Sequence, residues 1–318
     1  MTPEGARAGA SLGAPAAAGA TPAQAAPPAA DRVRGVRALG ATLSMIKFQH
    51  TLFALPFAFC GALLAADGLP SLRTIGWILG AMVGARSAAM VFNRIADLEF
   101  DRRNPRTASR PLVTGALGLA FAWGFLATSV ALFVVSAAML NRLALLLSVP
   151  ALALILSYSY AKRITWLTHL HLGASLGLAP IGAWVAVRGD LATAPLVLAA
   201  AVILWVAGFD LIYACQDVDF DRQAGLRSFP ARFGIPKALA TSAALHLAMV
   251  ALLAALPAWT DLGWVYLAGV GLVGGLLVYE HRLVRPDDLG RVNQAFFIIN
   301  GWISFLVLLA MAADRAWS

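Results

Sequence analysis

Asn93, Asp97 and Asp101 recur every four residues in NRIADLEFD, and Asp210, Asp217 and Asp221 recur at spacings of seven and four in DLIYACQDVDFD, with Tyr213 between them. At about 3.6 residues per helical turn, each set lines one face of a helix, whereas Glu99 and Asp219 turn away from it. Like-charged carboxylates on one face repel, and an aspartate within a bilayer costs about 2.5–3.5 kcal/mol on insertion scales, so something must compensate. Magnesium fits, because this hard cation is commonly held by one or two carboxylates together with the phosphate oxygens of a substrate. Two such faces opposed to each other would clamp a diphosphate through bridging Mg2+.

Basic residues stand where such a site needs them. Arg110 follows the first cluster, and Lys162 follows Tyr158 by four residues in YSYAKR. A diphosphate gathers negative charge as it leaves, so preorganised cations stabilise the transition state more than the ground state. Lys47 and Arg163 read equally well as phosphate ligands and as topology determinants that snorkel to the interface. Arg86 precedes Asn93 by two turns, about 11 Å deeper on the same face. It calls for a partner, either a substrate carboxylate or an internal carbonyl or acid such as Asp210, and the internal partner is preferred.

The elements that carry these residues are membrane spans. The 318-residue chain is 60% hydrophobic and only 13% charged, with a mean hydropathy of +0.77, against roughly 45–50% apolar and 25% charged in soluble domains. Apolar stretches near 43–66, 74–93, 117–140, 142–161, 165–187, 195–214, 238–257, 262–280 and 293–313 are each about long enough to cross a bilayer. An all-α integral membrane protein of about nine spans follows. The N-terminal flank and the connections after spans two, four, six and eight carry 19 of the 24 lysines and arginines; the opposite side carries four, and Arg86 lies inside span two. The positive-inside rule then makes the loaded side, which also bears both acidic clusters, cytoplasmic, with the N-terminus inside. A multi-pass protein of the cell (inner or plasma) membrane, with its chemistry at the cytoplasmic face, is expected. The net charge of +8 is accounted for by this topology, with no need for nucleic acid, and no motif for a protein partner is evident. Residues 1–30, almost wholly small residues and proline, read as a disordered tail ahead of a transmembrane domain at 31–318. They lack the plan of a secretory signal. Cys60 and Cys215 have no metal-ligand spacing.

NRIADLEFD resembles the N-x-x-x-D-x-x-x-D motif, and DLIYACQDVDFD the D-x-x-Y-x-x-x-D-x-x-x-D motif, of the UbiA superfamily of membrane aromatic prenyltransferases. Tyr158 and Lys162 are similar to that family's tyrosine–lysine element, and the likeness runs from about Lys47 to the C-terminus. It implies nine transmembrane helices around a central cavity with a lateral opening to lipid, and magnesium at the cytoplasmic end. The implied substrates are a polyprenyl diphosphate and an aromatic acid. Asn93, Asp97, Asp101, Asp217 and Asp221 would then bind magnesium diphosphate, with Arg110, Lys162 and Lys47 on the phosphates; Tyr213 and Asp210 match motif positions. The stretch FNRIADLEFDRRNPRT resembles the bacterial group described as 4-hydroxybenzoate polyprenyltransferase-like more than the ubiquinone enzymes proper, and part of this group is implicated in menaquinone synthesis by the futalosine route. Ubiquinone enzymes usually carry an acid directly after the motif asparagine, where this chain has Arg94. The acceptor therefore stays open between 4-hydroxybenzoate, or a close relative in quinone synthesis, and a futalosine-derived aminobenzoate.

Other signals are weaker. Gly269, Gly271 and Gly274 spell GVGLVG inside an apolar span, where small residues serve close helix packing better than dinucleotide binding. His169 and His171, two residues apart, do not share a helical face and read as a polar helix start. A secondary transporter also places ionisable groups in a helical bundle, but it usually shows internal repeats or broken spans, and none is convincing here. A phosphotransferase acting on cytidine diphosphate-activated alcohols would carry D-G and A-R elements that these aspartates lack.

Overall fold

The computed structural model describes Thr42, residues 51–66 and residues 68–317, with the side chains of residues 51 and 52 left aside. The tail at 1–30 and Lys47 lie outside the described residues. Among those described, helices dominate and no strand is named: α1 Thr51–Ala66, α2 Leu72–Ala96, α3 Leu98–Arg103, α4 Leu119–Leu140, α5 Arg142–Ile164, α6 Thr168–Arg188, α7 Thr193–Ala214, α8 Val218–Gln223, α9 Phe229–Phe233, α10 Ile235–Ala255, α11 Trp264–Leu283, α12 Val292–Gln294 and α13 Asn300–Trp317. Eight of the described helices are long and apolar enough to cross a membrane, and α1 adds a shorter apolar one. The first third of its expected span, 43–50, lies outside the described residues. The remaining predicted spans fall within a few residues of the helices. Span nine differs in kind, because α12 passes through a π-helical turn at Ala295–Ile299 before α13 begins.

Local chemistry sets the helix ends. Ser71 Oγ accepts from the Thr74 backbone N–H at 3.1 Å, starting α2, and Asn141 Oδ1 accepts from Ala144 N–H at 2.9 Å, starting α5; both satisfy donors that the first helical turn leaves open. Gly189 closes α6 in the left-handed region at φ 72°, a conformation in which other residues pay for their Cβ.

Sequence neighbours pack side by side: α2 on α4, α6 on α7, α7 on α10 and α11 on α13, while α1 joins α6 to α13 and closes the set. Without a hydrophobic drive inside lipid, such association depends on close van der Waals fit and therefore on small residues. A Cβ added at Gly173 would collide with the Ile203 carbonyl, and one at Gly61 with the Pro180 backbone, so α6 meets both α7 and α1 backbone to backbone. Within GVGLVG, Gly269 packs against Ala310, whereas Gly271 faces open space. The core on this side is aromatic, with Phe53, Phe57, Trp205, Phe209 and Phe296 in mutual edge and tilted contacts.

The two helices that carry the acidic motifs end alike. The long α2 stops at Asp97 (φ −94°, ψ 7°) before the six-residue α3. The long α7 passes through a 3-10 turn to Asp217 (φ −103°, ψ 6°) before the six-residue α8. Both aspartates occupy the sparsely populated bridge region, where active-site residues are often found. Across the first break the turn geometry survives: Asp97 N–H donates to the Asn93 carbonyl at 2.9 Å and Asp101 N–H to the Asp97 carbonyl at 2.8 Å. The i, i+4 register therefore keeps Asn93, Asp97 and Asp101 on one face despite the bend.

Candidate active site

Both motif ends open into one cavity of about 230 Å³, lined among others by Asn93, Asp97, Asp101, Arg110, Tyr158, Lys162, Asp210, Tyr213, Asp217 and Asp221. Residues more than a hundred positions apart thus face each other at the same end of the bundle. Glu99 and Asp219 are exposed outside it, and Glu99 pairs with Arg102 and Arg103 on its own short helix. A wider cleft behind α8 is lined by Asp219 and Arg222 but by none of the aligned carboxylates.

Four of the five aligned motif carboxylates each have their own cation. Asp97 accepts from Asn93 Nδ2 at 2.8 Å and from Arg163 at 2.9 Å, and the same Arg163 nitrogen also donates to the Ala96 carbonyl. The guanidinium of Arg163 lies over the Phe100 and Tyr160 rings, an arrangement that holds a cation firmly. Asp101, only 6% exposed, takes Arg110 on both oxygens at 2.5 Å. Asp217 is gripped by Arg106 through two parallel bonds of 3.1 and 2.9 Å, and Arg106 also donates to the Tyr213 hydroxyl at 3.4 Å. Asp221, 1% exposed, faces Lys162 at 3.3 Å. The Arg227 N–H binds the Lys162 carbonyl at 2.6 Å, tying the loop after α8 to the end of α5. At Asp97, burial pushes the carboxyl above its ordinary value, against the opposing pull of Arg163 and Asn93.

The donor set suits magnesium shared with a substrate. Four carboxylates supply hard oxygen, yet among the described residues no group of three or more acids, histidines or cysteines could hold a metal ion. An ion here needs further oxygens from elsewhere, as magnesium with substrate phosphates has. The paired arginines and lysine are the groups that would meet those phosphates.

Several expectations change. Arg163, balanced between topology and function, stands directly on Asp97. Arg106, assigned no role from sequence, makes the bidentate contact to Asp217, and only its proximity to the first motif hinted at it. Arg94, noted as a departure after the asparagine, is buried and lines the cavity. His169 is more than a polar helix start: it is buried, and its Nδ1 lies 2.6 Å from Asp210 Oδ2. No hydrogen bond or ion pair joins Asp210 to Arg86, so the expected internal partner is not this one. Arg86 is absent from the cavity wall, and its Nε is buried without a hydrogen-bond partner. Tyr213 stacks on Phe296 at 4.3 Å between ring centres, and Tyr158 meets the His171 ring edge-on.

Comparison with known proteins now has a geometry to meet. Residues 54–306 match the model of the UbiA prenyltransferase family. A 4-hydroxybenzoate octaprenyltransferase of Xanthomonas oryzae pv. oryzae is 36% identical over 281 residues, covering 88% of this chain and 90% of the relative. Among solved structures, the apo form of a UbiA homolog from Aeropyrum pernix K1 superposes with a TM-score of 0.76 at 43% identity, covering 83% of this chain and 98% of that one. A UbiA homolog from Archaeoglobus fulgidus, bound to DMAPP and Mg2+, shares the fold with a TM-score of 0.66 at 20% identity, covering 87% and 99%.

Proposed function

This chain belongs to the UbiA prenyltransferase family and is a multi-pass membrane prenyltransferase, and we propose that it transfers a polyprenyl group from polyprenyl diphosphate to 4-hydroxybenzoate or a closely related aromatic acid of quinone synthesis, in a magnesium-dependent reaction at the cytoplasmic face. The observation that carries this reading is the convergence of four motif carboxylates and four cations on one cavity. The transporter alternative offers no account of that pairing.

Asp97, Asp101, Asp217 and Asp221 would hold magnesium, which supplies charge neutralisation at the diphosphate oxygens when bound. Arg106, Arg110, Lys162 and Arg163 then turn from the carboxylates toward the phosphates. Positive charge preorganised there is worth most when the allylic carbon–oxygen bond breaks and both electrons leave with the diphosphate. Tyr158 and Tyr213, on the cavity wall, border the space in which the allylic cation forms. A ring carbon ortho to the acceptor's phenolic donor attacks that cation, and the ring then loses its proton. No covalent bond to the protein is required.

Arg86 is assigned to the acceptor carboxylate. Its buried, unpartnered Nε lies two turns below Asn93 on the same helix, and a guanidinium pairs with a carboxylate in a planar fork. Arg94, in the place where ubiquinone enzymes usually carry an acid, favours the second reading, a futalosine-derived aminobenzoate. Purified protein offered a prenyl diphosphate with 4-hydroxybenzoate, dihydroxynaphthoate and that aminobenzoate, and read by product mass, decides between them. Failure to prenylate any of the three refutes the proposal. With the preferred acceptor, Arg86→Lys is expected to raise its apparent KM far more than that of the prenyl diphosphate; equal losses would return Arg86 to a structural role.

A further inference from the structure

Five aspartates line the cavity, and four of them are paired with arginine or lysine. Asp210 alone has no such partner among the described residues. Its neighbour is the imidazole of His169, at 2.6 Å and 3% exposed, while Asp210 itself keeps 14% exposure and lines the cavity that His169 does not reach.

The tautomer of His169 follows from its other bond. Nε2 lies 3.4 Å from the backbone N–H of Phe229, which can only donate. Nε2 must therefore accept, the hydrogen resides on Nδ1, and Nδ1–H donates to Asp210 Oδ2. One carboxylate oxygen is thereby fixed, and Oδ1 is left for the cavity. In each of the four cation-paired acids both oxygens are already engaged, whereas a neutral donor on one oxygen of Asp210 orients the carboxylate and leaves the other oxygen to accept. The four cation-paired acids are built to bind; Asp210 is built to take a proton. It also lies seven residues before Asp217, inside the long α7 and ahead of the 3-10 turn, the same sequence offset that separates Arg86 from Asn93, and so deeper in the bundle than the acids at the motif ends.

We propose that Asp210 is the base that removes the ring proton after carbon–carbon bond formation, and that His169 is its positioning residue. The inference rests on the aromatic prenyl transfer proposed above. In this step the ring carbon's C–H electron pair returns to the ring and restores its aromaticity. The proton passes to Asp210 Oδ1, and from there to released diphosphate or water. No oxidant or reductant is involved.

The test is a competitive isotope effect on detergent-solubilised full-length protein, using prenyl diphosphate and 4-hydroxybenzoate (or whichever acceptor the panel selects) deuterated at both positions ortho to the ring donor. Proton loss from an arenium ion is ordinarily fast, so the parent should show an isotope effect near one. In His169→Ala, kcat should fall roughly tenfold to a hundredfold, within the ~10²–10⁴ that a positioned base contributes, and a primary isotope effect should emerge. His169→Asn, whose amide donates from the Nδ1 position, should restore both values toward the parent. His169→Gln, whose amide sits nearer Nε2, should behave like alanine, and it carries the test if the alanine variant does not fold. A rate loss with the isotope effect still near one in these variants, or parental rates in His169→Ala, would overturn the role of His169. A parent that prenylates no acceptor overturns the underlying reading, and this inference with it.

Discussion

Replacing Arg106 with alanine separates stability from catalysis. Arg106 holds Asp217 through two bonds and reaches Tyr213, but its side chain is 45% exposed and that of Asp217 13%. An ion pair whose arginine is so open to solvent contributes less than about 1 kcal/mol to stability, and the contact of its guanidinium over the Tyr213 ring, 5.9 Å from the ring centre, adds about 0.5 kcal/mol at an exposed site. If Arg106 instead turns to the departing diphosphate, its loss removes a preorganised donor at developing charge, which costs about 2.7–4 kcal/mol, or ~10²–10³ in kcat. Arg106→Ala should therefore lose about two to three orders of magnitude in turnover with nearly unchanged thermal unfolding in detergent. Arg106→Lys keeps the charge but not the two-pronged geometry and should fall between. Prenylated product counted by mass under saturating substrate, beside an unfolding curve, is the assay. Turnover within fivefold of the parent would refute the reasoning, as would a loss matched by equal destabilisation.

Asp97→Ala and Asp217→Ala should each abolish turnover while leaving folded, membrane-inserted protein, because on the proposed reading they remove metal ligands rather than core; near-normal activity in both sinks the magnesium reading. Arg163→Gln removes a cation that favours the ionised form of Asp97, whose carboxyl burial already pushes up. The acid limb of the kcat/KM profile for prenyl diphosphate should therefore move to higher pH, and a limb that stays put or moves lower speaks against Asp97 as the titrating ligand. Cysteines placed at Ala108 and Gln223, both exposed, should be labelled only from the cytoplasm, and one at Asp261 only from outside; Cys60 and Cys215 are buried and should stay silent. Labelling of Ala108→Cys and Gln223→Cys from opposite faces would contradict the shared site.

What could be read from sequence was whatever one helix determines by itself. Apolar runs of about 20 residues gave the spans, and the four-residue spacing separated inward Asp97, Asp101, Asp217 and Asp221 from outward Glu99 and Asp219. Pairings between helices carry no such periodicity. Arg106 and Asp217 are 111 positions apart, Arg163 and Asp97 66, and Lys162 and Asp221 59, and only tertiary packing brings them together. The role of His169 escapes the sequence for the same reason: its spacing from His171 argues against a metal pair on one helix but says nothing of Asp210 on the next. The bend at Asp97 was equally hidden, since nothing in NRIADLEFD interrupts a helical pattern.

The one-to-one pairing of carboxylates with cations makes the cavity behave as an ion exchanger. A metal ion arriving alone would take Asp101 or Asp221 and strand the Arg110 or Lys162 it displaced; a diphosphate arriving alone would strand the carboxylates. Removing one partner from a buried pair costs about 3–5 kcal/mol, so each half-exchange is opposed, while the joint exchange gives every charge a new counterpart. Metal and diphosphate should therefore each tighten the binding of the other by the same factor, on the order of 5–150-fold for coupling of usual size. On the proposed reaction the site would act as a coincidence gate: a carbocation, which water or lipid would destroy, would be generated only after both halves of the charge set had been exchanged.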